Sequence, residues 1–206
     1  MDDVDRWCAL HSFERERVGP VLGAYLRAVY AAARRVPLSP GAVTLLALLV
    51  ACSSVVPYAL DVPAAAAPLV VLSGLLDSVD GAVAALRGKA TAFGAVLDST
   101  ADRLSDLALL IGPALYVPDA RPALVAAGAG TFLLEYVRAR CQAAGWTDRQ
   151  PVTPGERPTR LVAAALLAVV PRWWAYGAWT LAALTALGAL MLLRDARARS
   201  TTAASA

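Results

Sequence analysis

Apolar stretches separated by short polar segments dominate the chain from residue 41 to residue 193. Because the hydrocarbon core of a bilayer is about 30 Å thick, a helix needs about 20 mostly apolar residues to cross it. On that basis the pattern predicts six membrane-spanning helices, near residues 41–60, 62–86, 93–117, 121–143, 158–172 and 174–193. The predicted fold class is an all-α integral membrane protein with six transmembrane helices.

An amphipathic segment precedes the predicted spans. Residues 18–35 carry apolar side chains at helical spacing together with several arginines, a pattern typical of a helix that lies on the membrane surface. Residues 1–17 are predicted to form an N-terminal cytoplasmic segment. The membrane domain therefore runs over 18–194, and the small, polar residues 195–206 are predicted to be a disordered tail.

The distribution of Lys and Arg predicts how the spans are oriented. Most of these residues lie in the N-terminal segment, in the 87–92 and 144–157 loops with their flanks, and in the C-terminal tail. At the opposite ends of the spans the chain has only Arg121 and Arg172. Since cytoplasmic loops are enriched in Lys and Arg, we expect a multi-pass protein of the cell membrane with both termini in the cytoplasm.

Composition supports a membrane protein and argues against several other classes. Hydrophobic residues make up 58% of the chain and charged residues 17%, whereas soluble domains are roughly half apolar and roughly a quarter charged. The three cysteines are scattered and form no CxxC pair, so neither a disulfide framework nor a zinc site is expected. The net charge of +3 is small and the basic residues are dispersed, which gives no support to a nucleic-acid partner.

Four aspartates lie inside the second and third predicted spans, where carboxylates are costly and usually functional. Asp80 and Asp98 lie seven and six residues from the helix ends that flank the loop RGKATA, and Asp77 and Asp102 each lie ten residues away. At 1.5 Å per residue, one pair sits roughly 10 Å and the other roughly 15 Å from these ends. The pairs are therefore level with each other across an antiparallel hairpin, near its cytoplasmic end.

The spacing of these acids also places them on one face of each helix. Asp77 and Asp80 are related as i and i+3, and Asp98 and Asp102 as i and i+4. Four carboxylates that converge in an apolar setting repel one another, and one or two bound divalent cations remove that repulsion. Oxygen ligands without His or Cys select Mg²⁺, Mn²⁺ or Ca²⁺. A solvated acidic face is the alternative, but the flanking stretches VVLSGLL and LALLIGPALYV are strongly apolar.

Two glycines and a fifth aspartate accompany the four acids. Gly81 directly follows the second of them and leaves an uncovered backbone for a phosphate-bearing ligand, and Gly94 lies one turn before the third. Both glycines suit close helix packing equally well. Asp106, one turn deeper in the third span, is predicted to pair with Arg103.

The acid pattern resembles the signature of the CDP-alcohol phosphotransferase family, D-x2-D-G-x2-A-R-x8-G-x3-D-x3-D. Seven of the eight fixed positions match at the same spacings, and the chain reads Asp77-x2-Asp80-Gly81-x2-Ala84-Ala85-x8-Gly94-x3-Asp98-x3-Asp102. Six spans after an amphipathic helix also resemble that family, so the resemblance covers most of the chain. It further implies a homodimer.

The resemblance implies a reaction and a metal site. An acceptor hydroxyl attacks a CDP-linked donor such as CDP-diacylglycerol at the phosphorus next to the donor alcohol, and CMP leaves. By this resemblance Asp77, Asp80 and Asp98 hold two ions, Mg²⁺ or Mn²⁺. Asp102 is a further ligand or neighbour and the candidate general base.

The same resemblance implies a nucleotide site with one departure from the family pattern. The residues expected along the nucleotide are Gly81, Thr91 and Gly94. The family has an arginine, associated with the CDP phosphates, where this chain has Ala85. Arg87 is the residue predicted to bind the donor phosphates in its place. Two positions along a helix turn Arg87 to another face, so it would reach them where the helix frays before Gly88, and Lys89 in the loop could help. A catalytically weakened family member is therefore an alternative.

Four arginines are predicted to gather at the cytoplasmic mouth, namely Arg138, Arg140, Arg157 and Arg160. By charge alone they also fit anchors to lipid headgroups. The patterns Tyr-x-Arg-Ala-Arg and Glu-Arg-x-x-Arg resemble the phosphatidylinositol phosphate synthase branch. This resemblance implies that the four arginines bind the phosphate of inositol 1-phosphate. A phosphatidylglycerophosphate synthase is the alternative enzyme, and a divalent-cation transporter is the alternative outside enzymes.

Overall fold

The described part of the chain consists of helices joined by short loops. The computed structural model describes residues 2–10, 14–89, 91–146 and 151–204, and it contains no strand within those ranges. The helices are α1 Asp3–Leu10, α2 Pro20–Arg35, α3 Pro40–Ser53, α4 Val56–Ala59, α5 Ala66–Arg87, α6 Ala92–Tyr116, α7 Arg121–Ala143, α8 Arg157–Val169 and α9 Trp174–Ala204. The all-α prediction is confirmed.

The long helices coincide with the predicted spans. The first span corresponds to α3 and α4 together, and the other spans correspond to α5, α6, α7, α8 and the first two thirds of α9. Three segments are long and apolar enough to cross a membrane, namely Pro40–Ala59, Pro63–Arg87 and Pro171–Ser200. The remaining helices either carry several charges, as α6 and α7 do, or are short, as the 13-residue α8 is. The full set of six spans stays a prediction.

Capping residues define the hairpin of α5 and α6. Gly88 has a φ of 59°, a left-handed conformation that glycine adopts at little cost, and it ends α5. Thr91 begins α6, because its side chain accepts a hydrogen bond from the Gly94 N–H at 3.0 Å. The short loop between these caps returns the chain so that the acidic side chains of α5 and α6 converge, while α3 packs against both helices.

The helices pack in two groups around the hairpin. α3 packs on α5 and α6, while α7 packs along α9. α2 lies against α5, with Val29, Tyr30 and Ala33 buried against Val79 and Val83. A helix therefore covers most of 18–35, and its amphipathic character and position on the membrane surface stay predictions.

Helices extend into the described parts of both terminal segments. α9 continues to Ala204, where the sequence predicted a disordered tail from residue 195. Alanine and arginine favour helix, and Arg199 donates to Asp195 at 2.7 Å one turn away. At the N-terminus, α1 buries Val4 and Cys8 against Leu26 of α2.

Candidate active site

Three aspartates from α5 and α6 meet between the two helices. One carboxylate oxygen from each of Asp77, Asp98 and Asp102 lies within 4.8 Å of the others. All three side chains are partly buried. The convergence that the sequence spacing predicted is therefore confirmed for these residues, and we call them the carboxylate cluster.

Asp80 lies beside the carboxylate cluster and is more deeply buried, with 5% of its surface exposed. Its Oδ2 is buried and has no hydrogen-bond partner among the described residues. A buried carboxylate oxygen without a partner is unfavourable unless a cation or a donor satisfies it. The unpaired oxygen of Asp80 and the three neighbouring carboxylates offer only oxygen ligands. Such a set of ligands fits a hard divalent cation.

A cavity of about 190 Å³ opens next to Asp80 and Asp98. The three residues predicted to follow the nucleotide, Gly81, Thr91 and Gly94, all line it. A Cβ at Gly81 would meet no atom within 4 Å, so a side chain there would extend into open space. A Cβ at Gly94 would lie 3.1 Å from the Thr91 hydroxyl and crowd the cap of α6. We call this space the donor cavity.

Arg87 contacts the backbone before α3 and not the donor site for which it was predicted. Its Nη1 donates to the Leu38 carbonyl at 2.7 Å, and its Nη2 donates to the Val36 carbonyl. Arg87 therefore ties the end of α5 to the loop before α3 and does not line the donor cavity, whose basic lining residue is Lys89. Contact with a nucleotide would require Arg87 to leave these carbonyls.

The arginines of the predicted acceptor group divide between different partners. Arg157, the first residue of α8, forms ion pairs with both Asp77 and Asp102. Arg138 donates to Glu156 Oε1 at 2.6 Å and to the Thr153 hydroxyl at 3.3 Å. Arg140 is exposed, and no ion pair joins it to the carboxylate cluster within the described ranges.

Arg160 is buried in an ionic network and does not face a cavity at the mouth. Its Nη2 lies 3.1 Å from Asp106 and 3.2 Å from Glu135, and its Nη1 donates to the Gly155 carbonyl at 2.6 Å. Arg103 joins the same two acids, at 3.3 Å from Asp106 and 3.5 Å from Glu135. The predicted pair of Asp106 with Arg103 is confirmed, whereas Arg160 is committed to protein partners. Sequence reasoning missed Glu135, although an acid inside a predicted span was a signal.

A second cavity, of about 380 Å³, lies on the other side of α6. Its polar lining comprises Ser99, Asp102, Arg103, Glu135, Tyr136, Arg138 and Gln142. Asp102 therefore belongs to the carboxylate cluster and to this cavity. Arg103 and Arg138 supply the cavity with guanidinium groups, and that of Arg103 lies 3.8 Å from Asp102. We call this space the acceptor cavity.

Glu156 supports Arg138 and should make the stability of the protein depend on pH. Burial raises the pKa of Glu156, but hydrogen bonds from Thr153 and the charge of Arg138 outweigh burial and bring the pKa below its ordinary value of 4.5. A carboxyl group whose pKa is lower in the folded state than in the unfolded state stabilises the fold at pH values above the unfolded-state pKa. This contribution to stability is lost as the pH falls through the folded-state pKa.

We therefore expect Glu156→Gln to lower the Tm at pH 7 and to lose that deficit as the pH falls below 4.5. Thermal melting of both proteins in detergent, at several pH values from 7 downward, measures the difference. A deficit that stays constant over the whole range would show that the ionised carboxylate contributes nothing.

Comparison with known proteins identifies the family. A profile of the CDP-alcohol phosphatidyltransferase family matches residues 38–193, which include the carboxylate cluster and both cavities. The chain belongs to this family. It is accordingly a transferase, and its apolar helices agree with a membrane protein.

Relatives of this CDP-alcohol phosphatidyltransferase include both sequences and solved structures. The archaetidylinositol phosphate synthase of Aeropyrum pernix is 31% identical over 78% of this chain and 79% of its own length. The phosphatidylinositol phosphate synthase of Mycobacterium tuberculosis with CDP-DAG bound has a TM-score of 0.69 and 30% identity, over 82% of this chain and 92% of that one. A structure of the same enzyme with manganese and citrate has a TM-score of 0.68 and 29% identity, over 81% and 87%.

Proposed function

We propose that the chain is a metal-dependent membrane phosphotransferase that moves a phosphatidyl group from CDP-diacylglycerol, or a related CDP-alcohol, to inositol 1-phosphate. The observation that carries this proposal is the carboxylate cluster, which lies between a donor cavity bordered by Gly81 and an acceptor cavity bordered by Arg138. The relatives whose names include inositol phosphate synthesis, and a related structure that holds CDP-DAG, support the choice of substrates.

Mg²⁺ or Mn²⁺, as two ions, is the proposed cofactor. Asp77, Asp80, Asp98 and Asp102 would hold the ions, because they supply oxygen ligands and because Asp80 Oδ2 has no protein partner within the described residues. When bound, such ions neutralise charge on the pyrophosphate and stabilise the phosphoryl group during transfer. A related structure in complex with manganese supports this assignment.

Asp102 is the proposed general base. Asp102 lines the acceptor cavity, so a hydroxyl group bound in that cavity would lie beside the Asp102 carboxylate. Asp102 accepts the proton of that hydroxyl, the oxygen forms a bond to the phosphorus next to the donor alcohol, and the bond from that phosphorus to CMP breaks. CMP departs with the electron pair of the broken bond, and a phosphodiester remains in the lipid.

The acceptor phosphate is assigned to the guanidinium groups that line or border the acceptor cavity. Arg138 lines it directly, and Arg157 contacts Asp102 at its inner edge. A planar guanidinium can hold two oxygens of a phosphomonoester at once. Arg140 is exposed at the end of the same helix as Arg138 and would meet the outer part of the acceptor. Arg160 acts indirectly, since it holds Asp106 and Glu135.

The proposed topology has six spans with both termini and the active site on the cytoplasmic side. The domain over 18–194 would comprise the surface helix α2 and the six spans. The concentration of Lys and Arg at one set of helix ends supports this orientation. The proposed assembly is a homodimer.

A panel of acceptors tests the substrate. Purified protein in detergent, with CDP-diacylglycerol and Mn²⁺, should release CMP at least about 100-fold faster with inositol 1-phosphate than with unphosphorylated inositol. Unphosphorylated inositol would lose two charge-assisted hydrogen bonds to the arginines, which together are worth about 3 kcal/mol or more. Faster release with glycerol 3-phosphate would favour a phosphatidylglycerophosphate synthase. Equal rates with inositol and its phosphate would overturn the role of the arginines.

A further inference from the structure

The donor cavity has a single basic lining residue among those described, Lys89. The acidic lining comes from Asp80 and Asp98, and the other lining residues are neutral. No ion pair of Lys89 occurs within the described ranges. A cavity with two carboxylates and one ammonium group suits a phosphate-bearing ligand that binds together with metal ions. The carboxylates would bind the ions, and the ammonium group, which is not ion-paired with them, would add positive charge for the phosphates.

The backbone holds Lys89 beside this cavity. Gly88 turns the chain through its left-handed conformation, and the N–H of Lys89 then donates to the Ala84 carbonyl at 3.1 Å. This hydrogen bond holds the start of the loop against the end of α5, beside Ala84, which also lines the cavity. The side chain of Lys89 therefore has a fixed origin and a flexible four-carbon stem.

The neighbouring arginines have other partners. Arg87 donates to the carbonyls of Val36 and Leu38, and Arg157 pairs with Asp77 and Asp102. Ala85, where the family signature has arginine, is partly buried against the apolar contact between α2 and α5. The positive charge available to a ligand in the donor cavity is thus that of Lys89.

We propose that Lys89 binds the pyrophosphate of the CDP-linked donor and determines the affinity for the donor in this chain. The inference rests on the proposed function, because that function supplies a nucleoside diphosphate as the ligand of the donor cavity. Lys89 acts as a point charge on a phosphate oxygen, beside the ions that the aspartates would hold. It takes no part in proton transfer and is a binding residue.

The test uses CDP and cytidine as probes of the purified protein in detergent with Mn²⁺, by titration calorimetry. Loss of one charge-assisted hydrogen bond should weaken CDP binding about tenfold in Lys89→Gln. Lys89→Arg should keep CDP affinity within about threefold, because the charge remains. Cytidine, which lacks phosphates, should bind all three proteins equally. Arg27→Gln, which removes an exposed charge of α2, is the matched control and should bind CDP like the wild type.

Several outcomes would overturn the role of Lys89. Unchanged CDP binding by Lys89→Gln would do so, and an equal loss in Lys89→Arg would point to the loop backbone instead. A parallel loss of cytidine binding would mean a disturbed site. The KM for CDP-diacylglycerol should rise in Lys89→Gln while the KM for the acceptor stays constant. If the wild type releases no CMP with any acceptor but binds CDP through Lys89, the proposed function fails and the role of Lys89 stands.

Discussion

Replacement of Asp98 by asparagine should lower CMP release from CDP-diacylglycerol by a factor of about 1,000 or more. Asp98 is a member of the carboxylate cluster and also borders the donor cavity. Metal ions contribute several kcal/mol of charge stabilisation in phosphoryl transfer, and each 1.4 kcal/mol is worth about tenfold in rate. The amide keeps the shape of the side chain and removes its charge, so the effect reports the metal site and not packing.

The measurement compares initial rates of CMP release and the affinity for Mn²⁺, followed by electron paramagnetic resonance of the free ion. Thr100→Val is the matched control, because Thr100 is exposed on the same helix and its hydroxyl donates only to the Val96 carbonyl. The control should retain both activity and Mn²⁺ binding. An Asp98→Asn protein with undiminished CMP release would remove Asp98 from the metal site.

Replacement of Arg160 by methionine should destabilise the folded protein by about 3–5 kcal/mol, the usual effect of breaking a buried ionic network. The Arg160 side chain is 6% exposed. Among the described residues, its loss leaves Asp106 with Arg103, and Glu135 with Arg103 and Arg138. It also removes the hydrogen bond to the Gly155 carbonyl. Thermal melting in detergent should show a large fall in Tm.

Arg140→Met provides the control for this change in stability, because it removes the same type of side chain from an exposed position on α7. Its Tm should stay close to that of the wild type. An Arg160→Met protein that melts at the wild-type temperature and loses only activity would instead place Arg160 in direct contact with the acceptor, as the sequence first suggested.

The sequence predicted the helices and the convergence of the acids well, for local physical reasons. The lengths of the apolar stretches define the helices to within a few residues, since Pro, Thr91 and Gly88 supply starts and stops in the chain itself. The positions of Asp77 and Asp102 at equal distances from one tight loop follow from helix geometry alone. These predictions need no knowledge of long-range contacts.

The roles of individual arginines could not be predicted, because they depend on residues distant in the chain. Arg87 meets carbonyls that lie about 50 residues earlier, and Arg160 meets Asp106, 54 residues away. Charge count places both near the cytoplasmic mouth, but only the packing of α2, α6 and α8 decides which guanidinium faces a cavity and which is buried. The helical tail after residue 195 was missed because polar composition outweighed its Ala and Arg content.

The stoichiometry of the reaction tests the central claim most directly. Purified protein with CDP-diacylglycerol, inositol 1-phosphate and Mn²⁺ should form CMP and a phosphoinositide in equal amounts, and removal of any one of the three should stop both products. CMP formation that continues without the acceptor or the metal would contradict a metal-dependent transferase. The claim would also be contradicted if proteoliposomes took up Mn²⁺ without any CDP compound and formed no lipid product. That is the behaviour of a cation transporter.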